Sequence, residues 1–76
     1  MIVKVYSTQT CPYCQTLKEY LTSKGIEFES FDVGNDDTAR EEMLAKANTM
    51  TVPVTDIDGK ILVGFDLKEL NAALGI

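Results

Sequence analysis

Short apolar runs alternate with helical patterns along this chain. In the first run, residues 1–6, Val3 and Val5 alternate with Ile2, Lys4 and Tyr6, and β-branched residues dominate, which predicts a strand in the middle of a sheet. After Cys14, apolar residues recur at helical spacing as far as Lys24 and Gly25, a basic residue and a glycine of the kind that end helices. Residues 26–33 carry apolar residues among acids and predict a less regular second strand.

A second helix is expected after a turn at residues 34–37. Thr38 and Glu41 have the spacing of a capping box, which predicts that Thr38 is the residue that caps this helix. Apolar side chains recur on one side of the helix, so we expect that side to face the sheet. They are Ala39, Met43, Leu44 and Ala47.

The last third of the chain predicts a hairpin and a helix. Residues 52–57 and 60–63 read as strands, and Asp58-Gly59 between them is a strong two-residue hairpin signal. Asp66 is expected to cap the final helix, which ends at Gly75. The apolar residues that this helix should bury are Leu67, Leu70 and Leu74.

The predicted order is therefore βαβαββα, in a single α/β domain over residues 1–76. A βαβ unit requires parallel strands, whereas a two-residue hairpin requires an antiparallel pair. We expect a mixed four-stranded sheet covered by three helices. A chain of 76 residues buries only about 60% of its unfolded surface.

Composition and charge exclude several kinds of function. The net charge is −5, from twelve acidic and seven basic residues, and no basic cluster supports binding to nucleic acid. No apolar run has the roughly 20 residues needed to span a bilayer, and residues 1–6 lack the pattern of a signal peptide. We therefore expect a cytoplasmic protein without a membrane partner. The chain has no histidine, which excludes a Cys-His dyad and the commonest metal ligand.

The only two cysteines, Cys11 and Cys14, lie between the first strand and the first helix. Two intervening residues on a first helical turn allow the sulfurs to form and break a disulfide, so this placement predicts a redox site. Unpaired backbone N–H groups and the helix dipole favour negative charge on Cys11, which we expect to be the attacking thiolate, with Cys14 resolving. A structural zinc site would need a second pair of ligands, available here only from a dimer, and no metal is expected.

Three spaced motifs make the chain resemble a glutaredoxin, a small member of the thioredoxin superfamily, along essentially its whole length. The motifs are Cys11-Pro12-Tyr13-Cys14, Thr51-Val52-Pro53 and Gly64-Phe65-Asp66. The resemblance implies a thioredoxin-like fold and a monomeric, glutathione-linked thiol–disulfide oxidoreductase, with glutathione as the co-substrate. Its partners would be glutathione and proteins that carry glutathione or a disulfide.

The resemblance also implies a glutathione-binding set. Its expected members are Thr8, Tyr13, Thr51, Val52, Pro53, Gly64, Phe65 and Asp66. Pro53 matches the family's cis-proline, and Val52 would pair its backbone with the cysteinyl part of glutathione as an added strand does. The segment from Gly64 to Asp66 would hold the γ-glutamyl end, with helix N–H groups for the carboxylate and Asp66 for the ammonium.

Departures from the family pattern leave two alternatives. Thr8 stands where many glutaredoxins have a lysine, and Thr49 and Met50 occupy the place where many have an arginine. Fewer cationic side chains are therefore available to bind the carboxylates of glutathione. One alternative is a glutaredoxin-like redoxin that thioredoxin reductase reduces and that serves ribonucleotide reductase, a class that shares the Gly64-Phe65 pair. Another is an iron–sulfur carrier that uses Cys11 of two subunits.

Two further residues, Asp56 and Lys18, each have two possible roles. Asp56 interrupts an apolar strand, and we expect it to be exposed on one face, the alternative being a buried proton acceptor for Cys14. Lys18, one helical turn after Cys14, is positioned to bind a substrate carboxylate or simply to face solvent.

Overall fold

Four strands and three helices follow one another in the order βαβαββα in the computed structural model, which describes residues 1–76. The strands are β1 (Val3–Ser7), β2 (Glu29–Asp32), β3 (Val54–Ile57) and β4 (Lys60–Val63). The helices are α1 (Pro12–Ser23), α2 (Asp37–Ala47) and α3 (Leu67–Leu74). The predicted order of elements is confirmed. None of the helices has the length and apolar character that crossing a membrane requires.

The strands form one mixed sheet in the order β2-β1-β3-β4. Strand β1 is internal, as expected, and is parallel to β2 and antiparallel to β3, which is in turn antiparallel to β4. Tyr6, near the end of β1, is paired with Val54 at the start of β3, and Val54 is paired with Val63 at the end of β4. The loops that follow β1 and β4 and the loop that precedes β3 therefore meet at one edge of the sheet.

Helices cover both faces of the sheet. One core joins α1 and α3 to the sheet through Val3, Val5, Leu17, Leu21, Ile57, Leu62, Leu70 and Leu74. The other core joins α2 to the opposite face through Tyr6, Val33, Ala39, Met43 and Val54. The alternation of Val5 and Tyr6 between these cores follows from the two-residue period of a strand.

Two predicted boundaries were wrong for identifiable reasons. Helix α2 is capped by Asp36, whose carboxylate accepts the Ala39 N–H at 3.1 Å, so Thr38 lies inside the helix and caps nothing. Strand β3 begins at Val54 and not at Val52, because Pro53 has no N–H to donate to the ladder. The first two strands are also shorter than expected.

Two predicted core residues are also exposed. Leu44 on α2 and Leu67 at the start of α3 remain accessible to solvent. The hairpin turn and the end of α3 were predicted correctly, whereas the turn expected at residues 34–37 ends earlier, since Asp37 already begins α2. Asp58 and Gly59 both adopt positive φ in the hairpin, and the predicted end of α3 at Gly75 has a φ of 77°.

Asp56 is buried, so the expectation that it faces solvent was wrong. Its carboxylate lies 2.7 Å from the Lys46 ammonium of α2 and accepts the Gly59 N–H at 2.8 Å. Lys46 also donates to the Tyr6 hydroxyl at 2.9 Å, and that hydroxyl donates to Glu42. The Lys46 ammonium lowers the pKa of Asp56, against the effect of burial. Because Asp56 lies on the α2 face of the sheet, it is not a proton acceptor for Cys14 on α1.

The pair of Asp56 and Lys46 predicts a specific pH dependence of stability. The folded-state pKa of Asp56 is lowered, so its contribution is present above about pH 4 and is lost as the pH falls through the folded-state pKa. At pH 7 we expect Asp56→Asn to reduce the free energy of unfolding by about 1–3 kcal/mol, because Lys46 loses its charged partner. Urea denaturation at pH 7 and pH 3 measures this loss, which should shrink at the lower pH.

Asp37→Asn is the matched control, since Asp37 forms only an exposed ion pair with Arg40. We expect this control to change stability by about 0.5 kcal/mol or less. Equal losses in the two variants, or an Asp56→Asn loss that does not depend on pH, would contradict the ion-pair explanation.

Candidate active site

The site lies where three loops meet at one edge of the sheet. The first loop carries Cys11 after β1, the second carries the cis Val52–Pro53 peptide bond before β3, and the third carries Gly64 after β4. The Gly64 N–H donates to the Pro53 carbonyl at 2.8 Å and joins the second loop to the third. The expected cis form of Pro53 is confirmed.

Cys11 occupies the N-cap position of α1, and Pro12 takes the first helical position, where its missing N–H costs no hydrogen bond. The Cys14 N–H donates to Cys11 Sγ at 3.2 Å, so the sulfur fills the capping role that a serine or aspartate oxygen usually has. Cys11 is partly exposed, and its Sγ lies 4.0 Å from the Val52 carbonyl oxygen. A negative charge on this sulfur is therefore stabilised by the helix N-terminus and remains accessible to a substrate.

Cys14 is in a different environment one turn into the helix. It is buried, with 1% of its surface exposed, although its sulfur faces the same site as Cys11. Burial, and next the contact with Cys11, raise the pKa of Cys14 to about 11. At pH 7 only about one Cys14 side chain in ten thousand is a thiolate at that pKa. The two sulfurs are thus unequal, since Cys11 is the more accessible and Cys14 is buried and protonated.

A groove of about 350 Å³ beside Cys11 brings together most of the residues expected to bind glutathione. Its lining is Tyr13, Thr51, Val52, Pro53, Gly64 and Phe65. Tyr13 presents an exposed ring at one wall, with 66% of its surface accessible. Val52 also lines the groove, and its backbone N–H donates no hydrogen bond within the chain. A free backbone donor at this position is what an added strand-like ligand requires.

Asp66 lies next to this groove as the N-cap of α3. One of its carboxylate oxygens accepts the N–H groups of Lys68 and Glu69, at 3.0 and 3.3 Å. Those two helix N–H groups are therefore occupied by the cap and are not free for a ligand carboxylate. The other carboxylate oxygen makes no hydrogen bond within the chain and is free to face an ammonium group.

Thr8 is separated from the other expected ligand-binding residues. It lies on a second groove, of about 560 Å³, that runs along the outer side of α1 and that we call the α1 groove. Its lining is Thr8, Gln9, Cys11, Cys14, Gln15, Lys18, Glu19, Thr22 and Ser23. Both cysteines border this groove, so the site is open to it as well as to the groove beside the cis-proline.

A polar cluster that the sequence did not indicate supports the cysteine loop. The carboxylate of Asp32, at the end of β2, accepts the Gln9 side-chain amide at 3.1 Å and the Asn35 amide at 2.8 Å. These hydrogen bonds lower the pKa of Asp32, and the one from Asn35 has the largest effect. A Cβ atom at Gly34 would lie 3.2 Å from a carboxylate oxygen of Asp32, which is tight, and at ordinary contact distance from Thr8. The contacts of Asp32 with Gly34 and Asn35 are local, whereas only the pairing of β2 with β1 brings Gln9 to this carboxylate.

The structure contains no group of three or more cysteine, aspartate or glutamate side chains placed to hold a metal ion.

Sequence and structure comparisons identify known proteins that are similar to this chain. The family model for glutaredoxin matches residues 3–62. A glutaredoxin-like 8.6 kDa protein encoded in the rubredoxin operon of Clostridium pasteurianum, itself uncharacterised, is 47% identical over 70 residues, covering 92% of this chain and 93% of that protein.

Glutaredoxin 3 of Escherichia coli is 37% identical over 75 residues, covering 97% of this chain and 90% of its own. The crystal structure of a mutant of the thioredoxin-like protein BC3987 superposes with a TM-score of 0.92 at 34% identity, covering 97% of this chain and 95% of the other. The thioredoxin-like fold expected from the sequence is thereby confirmed. Since the family model extends over most of the chain and the relatives match nearly all of it, this chain belongs to the glutaredoxin family, whose activity is thiol–disulfide oxidoreduction.

Proposed function

We propose that the chain reduces glutathione mixed disulfides and protein disulfides, with Cys11 as the attacking thiolate, Cys14 as the resolving thiol and glutathione as the co-substrate. The observation that carries this proposal is the inequality of the two sulfurs. Cys11 caps a helix beside an open groove, whereas Cys14 is buried and protonated at neutral pH. Such a pair reacts in a defined order.

In the first step, the Cys11 thiolate attacks the glutathione sulfur of a mixed disulfide. A bond forms between Cys11 Sγ and that sulfur, the original disulfide bond breaks, and the protein thiol leaves as a thiolate that takes a proton from water. The helix N-terminus stabilises the charge on Cys11 before the attack. With a protein disulfide, the same attack leaves the substrate protein bonded to Cys11.

Two routes complete the cycle. A second glutathione thiolate attacks the glutathione sulfur bonded to Cys11, releasing glutathione disulfide and restoring the Cys11 thiolate. Alternatively, Cys14 attacks Cys11 Sγ, the bond between Cys11 and the substrate sulfur breaks, and the substrate leaves as a thiolate. Two glutathione molecules then reduce the resulting Cys11–Cys14 disulfide and become glutathione disulfide. The second route becomes easier after the first step, because a Cys11 engaged in a disulfide no longer opposes the ionisation of Cys14.

The groove beside the cis-proline is the proposed glutathione site. The free Val52 N–H and its carbonyl would pair with the cysteinyl residue of glutathione and hold its sulfur at Cys11. The free carboxylate oxygen of Asp66 would face the γ-glutamyl ammonium. Tyr13 and Phe65 would form the two sides around the ligand, and Thr8 would contact it from the α1 groove. A cycle that starts from two reduced thiols also supports the cytoplasmic location expected from the sequence.

One observation favours a second electron donor. The groove beside the cis-proline has no cationic side chain in its lining, so the carboxylates of glutathione have no lysine or arginine partner there. A redoxin that thioredoxin reductase reduces directly has no need of such a cation. Reduction by that enzyme, with ribonucleotide reductase as the recipient of the electrons, is therefore the second candidate function.

The two cysteines should differ in the effect of substitution. We expect Cys11→Ser to abolish turnover, because it removes the sulfur that forms the mixed disulfide. Cys14→Ser should retain reduction of glutathione mixed disulfides and lose reduction of protein disulfides that require a resolving thiol. Coupled assays with a glutathionylated peptide and with a protein disulfide test both expectations, and full activity of Cys11→Ser would rule out the mechanism.

Asp66→Asn tests the glutathione orientation. Asparagine caps a helix about as well as aspartate, so this variant should fold and lose only the negative charge. We expect the KM for a glutathione mixed disulfide to rise about twofold to fivefold with little change in kcat, since a partly exposed ion pair is worth about 1 kcal/mol or less.

Asp36→Asn is the matched control, because Asp36 caps α2 away from the site. Its KM should equal that of the wild type. A KM for Asp66→Asn equal to that of the control would show that Asp66 has no role in ligand binding.

The electron donor is determined by a direct comparison. The oxidised protein is supplied either with glutathione, glutathione reductase and NADPH, or with thioredoxin reductase and NADPH, and thiol formation is followed over time. We expect the glutathione system to be the faster of the two. Efficient reduction by thioredoxin reductase alone would favour the second candidate function.

A further inference from the structure

Lys18 is a half-buried cation without an acidic partner on the wall of the α1 groove. It forms no salt bridge, since the ion pairs of the chain involve only Arg40 and Lys46 as cations. It follows Cys14 by one helical turn, and side chains at this spacing are neighbours on a helix surface. Lys18 and both cysteines line the same groove.

We propose that the Lys18 ammonium stabilises the Cys14 thiolate in the step in which Cys14 attacks the mixed disulfide on Cys11. Lys18 has no contact with the disulfide in this proposal and acts through Cys14, so it is a positioning residue. The inference rests on the proposed resolving role of Cys14 and adds a charged group that favours the thiolate form of this buried thiol.

The assisted step is a thiol–disulfide exchange. Cys14 releases its proton to water, and its thiolate attacks Cys11 Sγ. A bond forms between the sulfurs of Cys14 and Cys11, and the bond between Cys11 and the substrate sulfur breaks. The substrate sulfur leaves as a thiolate and is protonated by water. The Cys14 sulfur is oxidised and the substrate sulfur is reduced.

Few charged groups act on Cys14. Burial and then Cys11 raise the pKa of Cys14, whereas a backbone hydrogen bond from Thr8 and, after it, the charge of Lys18 lower that pKa. Glu19 is the other charged side chain of the α1 groove. Apart from Cys11, the residues that the β1–α1 loop contributes to the groove are uncharged, and so is the lining of the groove beside the cis-proline. The acids of α3, Asp66 and Glu69, lie around Leu17 on the other side of the helix.

This balance changes during the reaction. Once Cys11 is part of a mixed disulfide, its opposition to the ionisation of Cys14 disappears, and the positive charge of Lys18 remains. Lys18 therefore increases the rate of the resolving step and not the rate of the first attack. The buried position of Cys14 strengthens this influence, because water screens the charge less there.

The test follows the reaction of the reduced protein with 4,4′-dithiodipyridine in a stopped-flow instrument. This disulfide is uncharged at neutral pH, so it gives Lys18 no carboxylate to bind. Attack by Cys11 releases the first thiopyridone, and attack by Cys14 on the resulting mixed disulfide releases the second. At pH 7 we expect Lys18→Met to slow the second phase about threefold to tenfold. Lys18→Arg should restore most of the rate.

The pH profile and the first phase distinguish this role from a structural one. The first phase should be the same in all variants, and the second-phase rates should converge at high pH, where Cys14 is ionised without help. Lys24→Met, near the exposed end of the same helix, removes one positive charge as a control and should leave both phases unchanged. An equal second phase in Lys18→Met and wild type across the pH range would overturn the proposal, as would a failure of Lys18→Arg to restore it.

A measurement without turnover gives the second readout. In Cys11→Ser, the Cβ chemical shift of Cys14 followed by NMR against pH should report a higher pKa when Lys18 is replaced by methionine. An unchanged titration would overturn the proposal. A wild-type protein with no second thiopyridone phase would instead overturn the resolving role of Cys14, so the two failures are distinguishable.

Discussion

The antiparallel pairing of β1 with β3 is the constraint on which the site depends. Because Tyr6 is opposite Val54, the chain leaves β1 toward Cys11 at the same edge where it enters β3 through the cis-proline. The pairing of β3 with β4 then brings Gly64 to that edge, and the hydrogen bond between Gly64 and Pro53 holds the two loops together. Without this register the cysteines would have a helix N-terminus but no groove beside it.

The reactivity of the two cysteines follows from their positions on one turn of α1. Cys11 is outside the helix and receives an N–H donor, whereas Cys14 is inside the helix and is buried. A single helical turn thus separates an accessible, stabilised sulfur from a buried, protonated one. In the proposed mechanism, the order of reaction therefore follows from the start of the helix, and the charge of Lys18 acts on the second sulfur from the next turn of the same helix.

The face of the sheet that packs against α2 has a structural role. There α2 is attached to the sheet through Lys46 and Asp56, and Tyr6 contributes both its hydroxyl and its ring to this contact. The polar atoms of this cluster satisfy one another, which is the condition under which charges are tolerated near a core. Since these residues lie across the sheet from Cys14, the chemistry and the polar packing use separate faces.

The sequence by itself determined the order of the elements, the redox motif, the hairpin turn and the cap of α3, because each depends on residues close together in the chain. The tertiary structure decided what depends on distant residues: the burial of Asp56 against Lys46, the support of Gln9 by Asp32, and the position of Thr8 on the α1 groove. The spacing of Thr38 and Glu41 favoured Thr38 as the cap of α2, but the cap is Asp36. Both residue types suit the N-cap position, and only the backbone conformation selects between them. Helix starts and turns are encoded by short-range hydrogen bonding, whereas burial and charge pairing are set by which strands become neighbours.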